Sequence, residues 1–260
     1  MKTLGICGAG SLELAERLAD ELDEATAIVR HTESNEDTSV RPATTVVDHG
    51  PGHSASHTTR GRSLDELLDS LAAAHSYSLV VDHPKARIPT VALAGADPVG
   101  EPLLADTEAP VSDAALRTQI EALDPRETLD SLVARVKRSP DARYAGAIAT
   151  FTGRVRGKET PSDPETQQLK FEKYEPLASE RMAEIEAALC SREGIHEVLL
   201  HHRTGVVPNG EDIVFVVVLA AHRTEAFETV SDGIDRLKSE VPLFKKELTT
   251  EEEFWVHERE

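Results

Sequence analysis

A stretch rich in proline, alanine and aspartate divides this chain into two parts. It runs from Gly95 to Pro125 and reads GADPVGEPLLADTEAPVSDAALRTQIEALDP. Of the 28 lysines and arginines, 9 lie in residues 1–125 and 19 lie in residues 126–260. A chain of 260 residues is long enough for two ordinary domains. We therefore predict a first domain over 1–100, a linker with one short helix over 101–125, and a second domain over 126–260.

The first half alternates strands with helices, which is typical of a small parallel α/β sheet. Apolar runs predict strands over Thr3–Cys7, Tyr77–Asp82 and Thr90–Gly95. Helical periodicity predicts helices over Leu12–Leu22 and Ser63–Ala74, the second capped by Ser63. We expect these elements to form one domain with a parallel sheet.

A polar segment from His31 to Arg62 interrupts this pattern and predicts a mobile loop. It contains His49, His53 and His57, which recur every four residues. A metal site is conceivable at that spacing. Glycine and proline would interrupt any helix that aligned the three rings, so we expect no metal site here.

The turn after the first strand has the outline of a phosphate-binding loop, with a glycine, four residues and a second glycine in GICGAGSL. Its candidate positions are Gly5, Gly8, Gly10 and Ser11. The complete motif continues with Lys and then Ser or Thr, where this chain has Ser11 and Leu12. The loop is therefore a degenerate phosphate loop. The N-terminus of the next helix could still favour an anion, or the segment could be a tight turn inside a packed domain.

The second half mixes helices and strands without strict alternation, which predicts an α+β fold. The predicted helices are residues 127–139, 176–193 and 223–240, the last one stopped by Pro242. The predicted strands are residues 146–156, 169–175, 195–205 and 211–222. The last two strands flank an Asn-Gly turn, VVPNGE, which favours positive φ.

The overall charge is strongly negative, with 47 acidic residues against 28 basic ones and a net charge of -19. The acidity covers the whole chain, as in a protein adapted to a cytoplasm of high salt or simply an acidic one. General nucleic-acid binding needs a basic footprint, so we expect none. No apolar run is long enough to span a membrane. Cys7 and Cys190 lie far apart and suit a reduced, cytoplasmic protein.

Although the chain is acidic overall, basic residues of the second half occur at the ends of predicted helices and strands. Five of them flank apolar residues: Arg156, His222, Arg223, Lys238 and Lys245. A pocket built from these donors would select an anion such as a phosphate or carboxylate. Crowded ammonium groups also favour one lysine acting as a base or nucleophile. The alternative is that each forms an ordinary surface ion pair with the abundant acids.

The spacing of these groups predicts how such a site is assembled. If Arg223 begins a helix and Lys238 ends it, fifteen residues separate them, or about 22 Å at 1.5 Å per residue. One small ligand cannot span that distance. A symmetric dimer can bring His222 and Arg223 of a second subunit to the lysines of the first. We therefore predict a homodimer with a composite active site.

Two family resemblances accompany these features. The degenerate loop and YSLVVDHPKARIPTVALAG resemble the molybdopterin-guanine dinucleotide biosynthesis adapter family, which implies a P-loop fold for the first half. The second half resembles the large, catalytic subunit of molybdopterin synthase through TFTGRVRG, HHRTGVVPNGEDIVFVVVLAAHRTEAF, DRLK, PLFKKE and Trp255. This resemblance covers about residues 126–258 and implies an α/β hammerhead fold.

The second resemblance implies a sulfur transfer. Members of that family convert cyclic pyranopterin monophosphate into the molybdopterin dithiolene. The sulfur comes from the C-terminal Gly-Gly thiocarboxylate of a small ubiquitin-like partner subunit. The implied catalytic residues are Lys238, as acid–base group, and Lys245, which holds and positions the anion. The implied substrate-binding residues are Arg154, Val155, Arg156, His222, Arg223, Lys246 and Glu247. The aromatic residue before Lys245 is often Trp in similar proteins and is Phe244 here. We expect no metal and no cofactor.

Two other functions remain open. The chain could be a non-catalytic adapter or scaffold in molybdenum cofactor assembly, whose second half has lost activity. It could also assist a nucleotide-dependent GMP transfer through its first half, against which the missing loop lysine argues.

Overall fold

The computed structural model of the chain describes residues 1–31, 45–50, 53–58, 63–86, 88–97, 102–107, 112–174, 176–251 and 253–256. The backbone forms two compact units, Met1–Glu127 and Thr128–Glu260. Among the described residues, no helix is both long enough and apolar enough to cross a membrane.

In its described residues, the first unit contains a five-stranded parallel sheet, three helices and a separate hairpin. In chain order its elements are β1 (Lys2–Cys7), α1 (Ser11–Glu21), β2 (Thr26–Arg30), β3 (Thr45–Gly50), β4 (His53–Thr58), α2 (Leu64–Ala72), β5 (Tyr77–Val81), β6 (Thr90–Leu93), β7 (Pro102–Thr107) and α3 (Asp113–Glu121). The strand order is β2-β5-β1-β6-β7, and neighbouring strands are parallel. The predicted parallel sheet is confirmed.

The core of this sheet follows from continuous apolar runs. Leu4 and Ile6 of β1 and Leu79 of β5 are fully buried, as expected for strands with helices on their faces. Helix α1 packs Leu14 and Leu18 against them. Helix α2 begins with the predicted cap, since Ser63 and Glu66 each accept a hydrogen bond from the other's backbone N–H.

Residues 101–125, predicted as a linker with one short helix, contain that helix as α3 but belong to the first unit. Strand β7 extends the sheet beside β6, and helix α3 packs on α1 through Leu116 and Ile120, both 0% exposed. Apolar residues four positions apart on a helix share one face, so they bury together. The first unit therefore extends to Glu127.

The loop predicted between His31 and Arg62 is also corrected in part. Strands β3 and β4 pair as an antiparallel hairpin, with His49 opposite Ser54 and His57 opposite Val46. The side chains of the three histidines lie outside the described residues, so the expectation that they bind no metal stays a prediction.

The part of the second unit that the structure describes contains two antiparallel sheets and three α-helices. In chain order its elements are α4 (Leu129–Lys137), a 3-10 turn (Ala142–Tyr144), β8 (Ala147–Arg154), β9 (Thr166–Lys173), α5 (Leu177–Cys190), β10 (Ile195–His202), β11 (Gly205–Pro208), β12 (Asp212–Ala220), α6 (Arg223–Glu240), β13 (Leu243–Thr249) and β14 (Glu253–Val256). One sheet has the order β10-β12-β8 and the other β11-β9-β13-β14. The predicted α+β class is confirmed.

Strand β12 is the centre of the first of these sheets, and its apolar run is buried on both faces. Val216 and Val218 face the cluster formed with α5 and α6. Phe215 and Val217 face the cluster formed with α4. A strand covered on both sides needs apolar residues at every position, which the run IVFVVVLA supplies.

Helix α6 is continuous over eighteen residues. Its buried stripe includes Ala226, Val230, Ile234 and Leu237, which pack into the core shared with β12 and α5. The helix ends at Glu240, two residues before Pro242, as predicted.

At the end of β10, His202 is buried and His201 is half-buried. The His202 ring packs edge-on against Phe171 of β9, with ring centroids 4.7 Å apart, so it connects the two sheets. Its Nδ1–H donates to the Arg203 carbonyl oxygen at 2.7 Å. The His201 ring stacks on Phe215 at 6.1 Å. Burial lowers the pKa of His201 to about 3 and that of His202 to about 4.

We expect Leu116→Ala to destabilise the first unit by about 2–5 kcal/mol, because it leaves a cavity between α3 and α1. Hydrogen–deuterium exchange of β1 and β5 amides would report this loss. The matched control is Thr118→Ala on the exposed face of α3, which should change stability by less than about 0.5 kcal/mol. Equal protection in wild type and Leu116→Ala would mean that α3 is a linker after all.

The second unit should lose stability as the pH falls from about 6.5 toward 4. Histidines of the unfolded chain take up protons in this window, whereas the lowered pKa values keep His201 and His202 neutral in the folded state. The stabilising contribution is therefore complete above pH 6.5 and is lost on acidification.

His201→Phe keeps an aromatic ring beside Phe215 and removes one titrating group. It should make the acid slope of the unfolding free energy shallower by up to about 1.4 kcal/mol per pH unit. Urea unfolding monitored by Trp255, the single tryptophan of the chain, would measure this. Parallel slopes for variant and wild type would refute the assignment.

Candidate active site

Strand β13 carries Lys245 and Lys246, two of the three predicted lysines. Because side chains alternate along a strand, the two lie on different faces of the sheet. Lys245 and Glu247 lie on one face, opposite Phe171 and Leu169 of β9. Lys246 lies on the other face, where its ammonium group sits 5.7 Å from the centroid of the Trp255 ring. Two adjacent lysines therefore occupy two different environments.

On the face of Lys245, its Nζ atom lies 3.7 Å from Oε2 of Glu247. The Lys245 side chain is 36% exposed and that of Glu247 19% exposed, so the pair is accessible to a ligand while only partly solvated. Glu247 also accepts a hydrogen bond from the hydroxyl of Thr166. The sequence did not single out Thr166, which belongs to no motif.

Lys246, predicted as a substrate-binding residue, does not join Lys245 and Glu247. It shares its face with Phe244 and lies opposite Trp255 of β14. Phe244 and Trp255 are 55% and 45% exposed. The structure thus places this lysine on an exposed aromatic surface on the far side of β13.

Lys238 lies in the last turn of α6, and its side chain is exposed. A short connection through Val241 and Pro242 leads directly from that turn into β13. The two predicted catalytic lysines therefore lie on consecutive elements, seven residues apart in sequence.

His222 and Arg223 lie at the opposite end of α6. His222 is the N-cap residue, and both side chains are exposed at the start of the helix. Because α6 is unbroken, the rise of about 1.5 Å per residue separates Arg223 from Lys238 by about 22 Å. One subunit does not bring these two groups together, and the dimer that would do so stays a prediction.

The three residues predicted at the end of β8 have different environments. Arg154 pairs with Asp212, Nε to Oδ1 at 3.1 Å, and donates to the Gly210 carbonyl oxygen. Arg156 pairs with Glu159 at 2.9 Å, and both side chains are more than two-thirds exposed. These arginines are held by neighbouring acceptors but remain accessible to solvent.

The structure places the side chain of Val155, predicted as a substrate-binding residue, in the interior of the second unit. Its side chain is 2% exposed and belongs to a small core with Leu169, Phe171, Val207 and Ile213. Its backbone N–H donates to Glu211 and its carbonyl oxygen accepts from Gly210, each at 2.9 Å. Val155 therefore packs against Leu169 and Phe171, on the face of the second sheet that also carries Lys245.

The Gly-rich turn in the first unit joins β1 to α1 as predicted. Its glycines are explained by close packing. A Cβ at Gly5 would lie 2.4 Å from the Thr90 hydroxyl oxygen, and one at Gly8 would lie 2.8 Å from the Leu93 carbonyl oxygen. Gly10 has a positive φ of 83°. The Ser11 hydroxyl donates to Oδ1 of Asp82 at 2.7 Å.

Comparisons with known proteins identify the family to which the chain belongs. The family model described as MoaE protein matches residues 119–240. A Haloferax volcanii protein named probable molybdopterin synthase is 50% identical over 264 residues, covering 100% of this chain and 100% of the relative. The Bacillus subtilis molybdopterin synthase catalytic subunit is 37% identical over 116 residues, 45% of this chain and 73% of the relative.

The N-terminal half is similar to a different group of solved structures. The crystal structure of Bacillus subtilis MobB matches at 14% identity with a TM-score of 0.38, covering 48% of this chain and 100% of that one. Such MobB-like neighbours lie over the N-terminal half.

The resemblance predicted for the second half is confirmed by the family model and by relatives that match over most or all of their length. The chain belongs to the MoaE family of molybdopterin synthase catalytic subunits.

Proposed function

We propose that this protein transfers sulfur from the thiocarboxylated C-terminus of a small ubiquitin-like subunit to cyclic pyranopterin monophosphate. The observation that carries the proposal is the placement of Lys238 and Lys245 on consecutive elements, with Glu247 beside Lys245. Both reactants are anions, and ammonium and guanidinium groups bind anions with charge-assisted hydrogen bonds.

The reaction needs a proton donor as well as anion binding. A C–S bond forms when the thiocarboxylate sulfur attacks a carbon of the pterin side chain, and the oxygen on that carbon leaves as water. Hydrolysis of the resulting thioester returns the tail as a carboxylate. Lys238 is exposed at the end of α6 and is our candidate for donating the proton to the leaving oxygen. Lys245 holds the anion.

The remaining donors bind the substrate phosphate or the tail. Arg154 and Arg156 are accessible, and His222 and Arg223 are exposed at the N-terminus of α6, where the helix dipole also favours an anion. Because α6 separates the last two from Lys238, we assign the active site to a homodimer in which each site uses both subunits.

For the first unit we propose no nucleotide hydrolysis. The loop lacks the motif lysine, the hydroxyl of Ser11 is used by Asp82, and the packing around Gly5 and Gly8 accounts for both glycines. The net charge of -19 and the free cysteines Cys7 and Cys190 support a cytoplasmic protein that does not bind nucleic acid.

Lys238→Ala should lower sulfur transfer by about 100-fold or more, because a positioned acid–base group typically contributes that much. The assay combines purified protein, thiocarboxylated small subunit and cyclic pyranopterin monophosphate in high salt, and measures molybdopterin. The matched control is Lys137→Ala on α4, an exposed lysine on a different helix, which should retain full activity. Product absent from wild type, with the small subunit still bound, would favour the adapter function.

Subunit complementation tests the composite site. Lys238→Ala and Arg223→Ala should each be inactive alone. Co-assembly of the two variants should restore roughly one quarter of wild-type activity, because half the dimers are mixed and each has one intact site. If both residues served the same subunit's site, every site would lack one of them and mixing would restore nothing.

A further inference from the structure

The pairing of β9 with β13 contains one irregularity beside the candidate site. The register is regular from Leu243 opposite Lys173 to Leu248 opposite Gln168, and then Thr249 lies opposite Thr166. Gln167 is thus an extra residue on β9, which is a β-bulge. Bulges redirect side chains, and this one lies two residues from Leu169, the partner of Glu247.

The bulge changes the face to which Thr166 points. In a regular strand Thr166 and Leu169, three residues apart, would face opposite sides of the sheet. With the extra residue, Thr166 joins the face of Leu169 and Phe171 and is 6% exposed, whereas Gln167 is exposed. The backbone N–H of Thr166 donates to the Gly157 carbonyl oxygen at 2.7 Å, which anchors it there.

On that face Thr166 contacts the acid of the candidate site. Its hydroxyl donates to Oε1 of Glu247, and Oε2 of the same carboxylate lies 3.7 Å from Nζ of Lys245. Each carboxylate oxygen therefore has its own partner. Without the hydroxyl, a glutamate side chain with three rotatable bonds would be free to turn away from the lysine.

We propose that Thr166 is a positioning residue for sulfur transfer, which orients the Glu247 carboxylate and through it the ammonium group of Lys245. This inference rests on the proposed function of the Lys245 face. The hydroxyl touches neither reactant; it acts by holding Glu247 at the angle that keeps Lys245 over the reacting anion.

Thr166→Val replaces the hydroxyl with a methyl group of similar size. It should lower the single-turnover rate of sulfur transfer by about 10-fold, the effect expected for one hydrogen bond to a charged group. Affinity for the small subunit and the urea midpoint monitored by Trp255 should stay at wild-type values. Thr166→Ser keeps the hydroxyl and should recover the rate to within about twofold. If Thr166→Val does not fold, Thr166→Ala provides the same comparison.

A double-mutant cycle with Glu247→Gln tests the route of the effect. If Thr166 acts through the carboxylate, adding Thr166→Val to Glu247→Gln should lower the rate by less than about twofold further. Fully additive losses, or a Thr166→Val rate equal to wild type, would overturn the inference. Wild type that forms no molybdopterin would instead refute the proposed function, so the two failures are distinguishable.

Discussion

The packing of α6 along β12 is the constraint on which the site depends. Ala226, Val230, Ile234 and Leu237 bind this helix to the core. A Cβ at Gly233 would lie 3.1 Å from a Val216 methyl carbon, so a glycine lets the helix approach the strand closely. A helix held along its whole length cannot bend, and its two functional ends therefore stay apart. The composite site proposed above follows from this separation, because a second subunit can bring its His222 and Arg223 to the lysines of the first.

Lys245 and Lys246 lie on opposite faces of the second sheet and make different interactions. Alternation along β13 pairs Lys245 with an acid on one face and places Lys246 over an indole ring on the other. The ion pair lies above a small apolar core that includes Val155 and Phe171, with His202 behind Phe171. The Glu247 carboxylate beside this core is less exposed than either partner of the Arg156–Glu159 pair, so solvent screens it less. The face of Lys246 instead carries the exposed rings of Phe244 and Trp255.

The pattern of apolar residues along the sequence predicted the helices and strands in which that pattern is regular. The spacing of Ala226, Val230, Ile234 and Leu237 defined α6, and the unbroken apolar run defined β12 as a buried strand. Residues 101–125 resemble a linker in their alanine and proline content, whereas the four-residue spacing of Leu116 and Ile120 indicates the buried face of α3. Family resemblance identified Val155 by position, and only the packing reveals that it is core. Thr166 was missed because a bulge leaves no mark in a single sequence.

The bulge in β9 depends on the number of residues in the strand and not only on which residues they are. Removing Gln167 would restore regular alternation and turn Thr166 outward to solvent. Every motif residue, including Lys238, Lys245 and Glu247, would remain unchanged in the sequence. A variant with one residue more or fewer in this strand would change the face to which Thr166 points, although all motif residues would be the same. On the proposed role of Thr166, the number of residues between Gly157 and Leu169 therefore bears on activity, together with the identity of the lysines.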